Sequence, residues 1–407
     1  MRADAVQMHL AHVPRGRSVH GQTFTHLLHG AHEMRPLGTL FRQPAFWDER
    51  NVLSDACLPL SALYAAVTRL HEWSAAASYR APVPVVCVGS ALVGGTGKTP
   101  VTLAIAERLR ARRPGLSVHA LSRGYGGASN AAALRVNPRE HTSEYVGDEP
   151  LLLAELSPTW IGARRCDTAK AACAQGADLL LMDDGLQHTT LHRDISLLCL
   201  DARYLVGNGR VVPSGPLREP IARTAARSDA VLLVEPAAVA AGGRKSTADE
   251  VEDDSSGVAA EADERLREML ALPASMVILR SALEPSPTVA AALAGRRVLA
   301  FSGTARPQRF FDTLRALGCE FPSHPLSLAD HAPLSAALLE KLREQAASHG
   351  AQLVTTSKDA ARLAPSQLEG VSVLPVALRL RAGSAEWLDR AIDEALIACQ
   401  SRKNEQF

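Results

Sequence analysis

The stretch from Val85 to Arg112 constrains the fold of this chain more than any other. Val85-Val86-Cys87-Val88 is a short apolar run suited to a strand buried on both faces. Gly94-Gly95-Thr96-Gly97-Lys98-Thr99-Pro100 follows it, and a helical pattern continues from Pro100 to about Arg112. A glycine-rich turn between a buried strand and a helix N-terminus gathers backbone N–H groups at one point, where phosphate oxygens can be cradled. The turn Leu92-Val93-Gly94-Gly95-Thr96-Gly97-Lys98-Thr99 is therefore expected to hold ATP. Lys98 would neutralise the outer phosphates, and the Thr99 hydroxyl would ligate Mg²⁺. Pro100 starts the helix without losing a needed donor. The strict phosphate-loop pattern asks for glycine five residues before Gly97; Leu92 stands there, so the loop is a variant.

A second signal lies at Leu179-Leu180-Leu181-Met182-Asp183-Asp184, an apolar strand ending in two carboxylates. Such an acidic strand end suits the Mg²⁺-supporting element of a phosphate-loop enzyme, with Asp183 or Asp184 in the metal shell. Gly185-Leu186-Gln187-His188 continues from it, which places Gln187 and His188 at the same carboxyl edge of the sheet as the phosphates.

Further apolar runs at Val118–Leu121, Ile195–Leu200 and Val231–Val234 alternate with helical or loop stretches. The expected fold class is α/β: a P-loop NTPase-like parallel sheet domain with a second, smaller α/β domain. Residues 1–40 read as a loosely ordered extension, 41–236 as an amphipathic helix followed by the phosphate-loop domain, 237–264 as a flexible acidic insertion, and 265–407 as the smaller domain. In the helix beginning near Leu60, the residues Leu60, Leu63, Tyr64, Val67 and Leu70 share one face. That stripe packs on the body of the protein or lies on a membrane surface, with Trp73 and Arg80 at headgroup level; the residues alone leave both readings open.

Charge excludes one class of partner. Lys and Arg number 44 against 43 acidic residues, so no positive field gathers nucleic acid. The seven scattered cysteines include no CxxC pair and read as reduced cytosolic thiols. No run approaches the length of a bilayer span, and the N-terminus lacks a signal-like apolar core, which points to the cytoplasm.

Several motifs in one order carry a resemblance. Val93–Pro100, Leu121-Ser122-Arg123-Gly124-Tyr125-Gly126, Val146-Gly147-Asp148-Glu149-Pro150, Asp183–His188 and Pro213-Ser214-Gly215-Pro216-Leu217-Arg218-Glu219-Pro220 resemble the tetraacyldisaccharide 4'-kinase family of lipid A synthesis. The likeness runs from about Pro44 into the C-terminal part, where Asp330-His331 and Ser357-Lys358-Asp359-Ala360-Ala361-Arg362-Leu363 resemble later family blocks. Ser90 and Leu92 stand where the family usually has Asn and Thr, and Ser357 replaces a usual Glu.

The resemblance implies transfer of the ATP γ-phosphate to the 4'-hydroxyl of a tetraacylated glucosamine disaccharide 1-phosphate, giving lipid IVA. It implies a peripheral protein on the cytoplasmic side of the bacterial inner membrane, with a lipid-linked disaccharide as substrate and no protein partner. On the family pattern Asp148 is the catalytic base and His331, from the second domain, orients it. Arg218 is a candidate to meet phosphoryl charge, while Arg123, Glu149, Arg165 and Glu219 are weaker candidates for substrate contact. A switch-type NTPase that hydrolyses nucleotide, or a nucleotide-sensing scaffold, remains as an alternative class. No NKxD-like segment that would read guanine is present, which favours ATP.

Overall fold

The computed structural model of the 407-residue chain describes residues 44–73, 78–125, 127–129, 131–236, 256–329 and 334–404. The extension expected over residues 1–40 lies outside the described residues. In chain order the strands are β1 (Val85–Gly89), β2 (Val118–Ser122), β3 (Leu134–Arg135), β4 (Thr159–Ile161), β5 (Leu179–Asp183), β6 (Ile195–Asp201) and β7 (Ala230–Pro236). They continue as β8 (Val277–Pro285), β9 (Val298–Ser302), β10 (Leu326–Ser327), β11 (Gln352–Thr356), β12 (Val371–Leu374) and β13 (Val376–Leu380).

A nine-stranded sheet has the order β13-β8-β7-β6-β1-β5-β2-β4-β3, parallel except at its two edge pairs. A four-stranded sheet, β10-β9-β11-β12, is parallel throughout. Within the large sheet β1 is central, and its side chains alternate between two cores. Val85 and Cys87 pack on one face, Val86 and Val88 on the other. Burial on both faces explains why this strand is apolar at consecutive positions. Each such side chain contributes about 1.5–3 kcal/mol. The chain leaves β1 towards β2 on one side, while β6 flanks β1 on the other. The carboxyl end of β1 therefore lies at the reversal of strand order where α/β sheets bind ligands.

The division between the sheets differs from the expected boundary at residue 265. β8 continues the large sheet, pairing with β7 from Ala230↔Val277 to Pro236↔Leu283, and β13 closes antiparallel on β8. The C-terminal helix Ala382–Asn404 also belongs to the large sheet. Its Leu388 and Ile392, one turn apart, are buried in the same core as Ile105 and Leu109 of the phosphate-loop helix. Only the chain between β8 and β13 forms the second sheet. An apolar run specifies a buried strand but not the sheet it joins, and register is fixed by partners distant in sequence.

Two further expectations change. The insertion expected over 237–264 is helical from Ser256, in a helix ending at Leu270; residues 237–255 lie outside the described residues. Ala, Glu and Arg favour helix despite their polarity, and Leu266 and Leu270, spaced i,i+4, are buried beneath the large sheet's core. The helix Leu58–Trp73 attaches by its small-residue side. Ser61, buried, donates to the carbonyl of Val211 and to Ser214 Oγ, both at 2.8 Å. Its apolar stripe faces outward instead: Leu60, Leu63, Val67 and Leu70 are 58–64% exposed. Of the two readings of this helix, packing of the stripe on the body does not occur among the described residues.

These placements predict opposite responses to truncation. Leu270→Ala is expected to lower stability by about 2–5 kcal/mol because it empties a fully buried site. Leu63→Ser is expected to fall within about 0.5 kcal/mol of wild type. Denaturant midpoints compare the two, and equal losses would contradict the outward-facing stripe.

Candidate active site

The phosphate loop begins where β1 ends. Gly94 and Gly97 take positive φ values of 102° and 86°, a region open to glycine at little cost. Leu92 is fully buried and pairs with Leu217 in an isolated antiparallel bridge. Val93 N donates to Pro216 O at 2.8 Å, and Arg218 N donates to Ala91 O at 2.7 Å. A leucine at this position thus anchors the loop by its side chain, and the backbone ladder it joins delivers Arg218 to the site. Ser90, also buried, caps the turn by accepting from Leu92 N.

Lys98 and Thr99 open the helix Lys98–Arg112. Lys98 Nζ donates to Gly94 O at 3.4 Å and lies 3.8 Å from Asp184 Oδ1. Thr99 Oγ1 donates to Asp183 Oδ2 at 3.4 Å, and Thr102, one turn on, donates to Asp183 Oδ1 at 2.9 Å. These contacts follow from the register Val88↔Asp183, which sets the end of β5 beside the end of β1.

The two aspartates occupy different electrostatic environments. Asp183 is buried, and burial, with the charges of Glu149 and Asp184, pushes its carboxyl well above the usual carboxylate range despite Lys98. Burial also acts on Asp184, but Arg218 and Lys98 outweigh it and hold this group well below that range. Arg218 makes a bidentate pair with Asp184, both bonds 2.9 Å. Asp184 has a φ of 52°, in the left-handed region that residues other than glycine seldom adopt.

Gln187 links this pair to Glu219. Its Oε1 accepts from Arg218 at 3.0 Å, while its Nε2 donates to Ser90 O at 3.0 Å and to Glu219 Oε1 at 3.3 Å. Glu219 is itself buried and ion-paired with Arg227. Arg165 is fully buried and donates to Gly162 O and Asp183 O, beneath the acid pair rather than at a solvent-facing position. Burial and the nearby Arg123 lower its pKa to about 10. Arg123 is exposed at the rim on the same side.

Asp148 begins the helix Asp148–Ala154 and is 3% exposed. Its Oδ1 accepts from Glu149 N at 3.0 Å. Its Oδ2 lies 3.6 Å from Arg362 Nε and 4.0 Å from Lys358 Nζ, and Lys358 also meets Glu149 Oε1 at 3.2 Å. His331, expected to orient Asp148, lies outside the described residues. Ala305, in the turn after β9, comes against the phosphate loop: a Cβ at Gly94 or Gly95 would meet its Cβ at 3.4 Å. The second sheet thus borders the loop directly.

Thr102, Lys358 and Arg362 were not among the sequence candidates. Lys358 and Arg362 stand in a quoted motif, Lys358 in the helix Ser357–Ala360 and Arg362 just beyond its end. Thr102 carried no signal, because a threonine inside a helix is usually a packing residue.

The donor set suits Mg²⁺ in character. Thr99, Asp183 and Asp184 are hard oxygen donors, and the burial of Asp183 beside the charges of Glu149 and Asp184 is a setting that a cation would relieve. No cluster of three or more His, Cys, Asp or Glu placed to hold a metal occurs among the described residues. The Thr96 hydroxyl is buried with no hydrogen-bond partner among the described residues, as suits a loop shaped around phosphate oxygens.

A buried strand, a glycine loop with Lys98 at the helix start, and an acid pair on the adjacent strand define a P-loop nucleotide-binding fold. The sequence model of the tetraacyldisaccharide-1-P 4'-kinase family matches residues 53–394, and the chain belongs to that family. Among its relatives, the tetraacyldisaccharide 4'-kinase of Rhodospirillum centenum is 43% identical over 83% of this chain and 92% of its own length. That of Dinoroseobacter shibae is 42% identical over 86% and 97%. The fold is similar to the crystal structure of the apo form of LpxK from Aquifex aeolicus in complex with ATP. The TM-score is 0.61 and the identity 24%, over 85% of this chain and all of that one.

His188 gives a test of the site's electrostatics. Burial, with Arg165 and Arg123 adding like charge, lowers its pKa to about 3. The ring is expected to remain neutral at about pH 5, where an ordinary histidine is protonated. Because the unfolded state binds that proton first, His188 lowers stability as pH falls below about 6.5. NMR titration of the ring checks this, and a midpoint near the ordinary value would contradict the buried cationic setting.

Proposed function

We propose that this protein is an ATP-dependent kinase that phosphorylates the 4'-hydroxyl of tetraacyldisaccharide 1-phosphate, forming lipid IVA in lipid A biosynthesis. The observation that carries the reading is the nearness of the acid pair Asp148-Glu149 to the residues around the phosphate loop. Glu149 lies within electrostatic range of both Asp183 and Arg218.

Asp148 takes the role of base. As the 4'-oxygen bonds to the γ-phosphorus, its O–H bond breaks and the proton passes to the Asp148 carboxylate. The bond from the γ-phosphorus to the bridging oxygen breaks, and ADP leaves. Lys98 and the loop N–H groups balance charge on the transferring group, and Arg218, fixed by Asp184 and Gln187, adds a cation at the same edge. Glu219 keeps Gln187 in place. Thr99, Asp183 and Asp184 would hold Mg²⁺, which supplies charge neutralisation on the phosphates when bound. Arg123, at the rim, suits contact with an anionic part of the substrate, while buried Arg165 supports the acid pair from below.

Membrane docking fits the outward stripe. No helix among the described residues is long and apolar enough to cross a membrane. Leu60, Leu63, Val67 and Leu70 form an unpaired apolar face on one helix, supporting peripheral association with the cytoplasmic leaflet of the inner membrane, where a lipid-linked substrate meets ATP.

Lys98→Ala and Asp148→Asn are each expected to lower kcat for phosphate transfer to the lipid disaccharide by at least ~100-fold while leaving the fold intact. Offering lipid disaccharide or water alone as acceptor tests the class; turnover with water alone would favour a hydrolytic NTPase. Leu63→Glu with Val67→Glu should weaken binding to anionic phospholipid vesicles without lowering Tm. Unchanged vesicle binding would refute the docking role.

A further inference from the structure

Asp148 is served by two cations from a different part of the fold. β11 ends at Thr356, and the short helix Ser357–Ala360 follows, so Lys358 and Arg362 stand at the carboxyl edge of the second sheet, facing the first. Arg362 is itself tied down. Its Nη2 donates to Asp359 Oδ1 at 2.6 Å and to Gly303 O at 2.9 Å, and Asp359 Oδ1 accepts from Gly303 N at 3.0 Å. Its Nε donates to Lys358 O at 3.4 Å, and the braced guanidinium lies 3.6 Å from Asp148 Oδ2, an ion pair rather than a hydrogen bond. Lys358 bridges Asp148 Oδ2 and Glu149 Oε1.

We propose that Lys358 and Arg362 are positioning residues for proton acceptance: they hold the Asp148 carboxylate ionised and in one orientation, so the base is complete only when the second sheet is seated on the first. The proposal rests on the reading of Asp148 as the base. The charged groups that meet that carboxylate include Glu149 on its own helix and Lys358 and Arg362 from the second sheet; His331, which the family pattern also sets on Asp148, lies outside the described residues. Of these the two cations favour the ionised form, and Glu149 opposes it.

Seating has a second support that does not touch Asp148. Arg306 pairs with Asp201 at 2.7 Å and lies 3.6 Å from the centre of the Tyr204 ring, and Arg309 pairs with the same carboxylate. Loss of seating and loss of the charges beside Asp148 are therefore separable.

The test is the pH dependence of kcat for transfer to tetraacyldisaccharide 1-phosphate in the full-length protein. Removing a cation destabilises the ionised carboxylate, so its pKa rises. Lys358→Gln is expected to move the acid limb of the profile up by about one pH unit, a roughly ten-fold loss at the acid end that recovers at high pH. Arg309→Gln is expected to lower kcat at all pH values without moving the limb. Arg362→Lys keeps a cation at the better braced position and should shift the limb less than Arg362→Gln. Lys358 is partly exposed, so its variant is the one to rely on if Arg362→Gln unfolds. A uniform loss in Lys358→Gln, or a wild-type profile, would overturn the positioning role while Asp148→Asn stays inactive. Retained transfer by Asp148→Asn would instead overturn the base assignment, and this proposal with it.

Discussion

The site depends on two adjacent carboxylates being held in unlike surroundings. Burying a charge costs several kcal/mol unless partners replace its water, and here only one of the two receives a full set. Asp184 has Arg218 in bidentate geometry and Lys98 nearby. Asp183 has threonine hydroxyls and like-charged neighbours. Much else at the carboxyl edge follows from satisfying that arrangement. Gln187 and Glu219 immobilise Arg218, Leu92 ties the phosphate loop to the segment that carries it, and Arg165 braces β5 from beneath.

The second sheet adds charge of the complementary sign. Its strands end towards the large sheet, so the turns after β9 and β11 bring Ala305, Arg306, Lys358 and Arg362 to the phosphate loop, to Asp201 and to Asp148. Cations from one sheet meet acids from the other at two places. One of these places carries the two sheets' contact at Asp201, and the other brings two cations to Asp148. A kinase gains from this, because water excluded from the cleft cannot compete with the acceptor hydroxyl.

Much of the site was legible in the residues because its parts are local. The phosphate loop needs glycine at positive φ within a few residues of Lys98 and Thr99, and the acid pair ends an unmistakably apolar strand. Family motifs carried Asp148, Arg218 and Glu219. Lys358 and Arg362 were visible only as part of a motif, since a cation in a helix is ordinarily a solvated residue until its partner is known. Arg165 was a candidate for substrate contact, and its burial beneath the acid pair was not legible because burial of a guanidinium leaves no local mark.

The chain's own pattern of apolar runs, glycines and helix starts determined the α/β class, the nucleotide loop and the identity of its acids, since each of these is set by neighbours within a few positions. Only the tertiary structure decided that β8, β13 and the C-terminal helix return to the first sheet, that the helix Ser256–Leu270 packs beneath it, and that the stripe from Leu60 to Leu70 faces outward. Strand partnership and the direction of an amphipathic face depend on which distant surface is available to bury them. That is a property of the assembled fold, not of any segment.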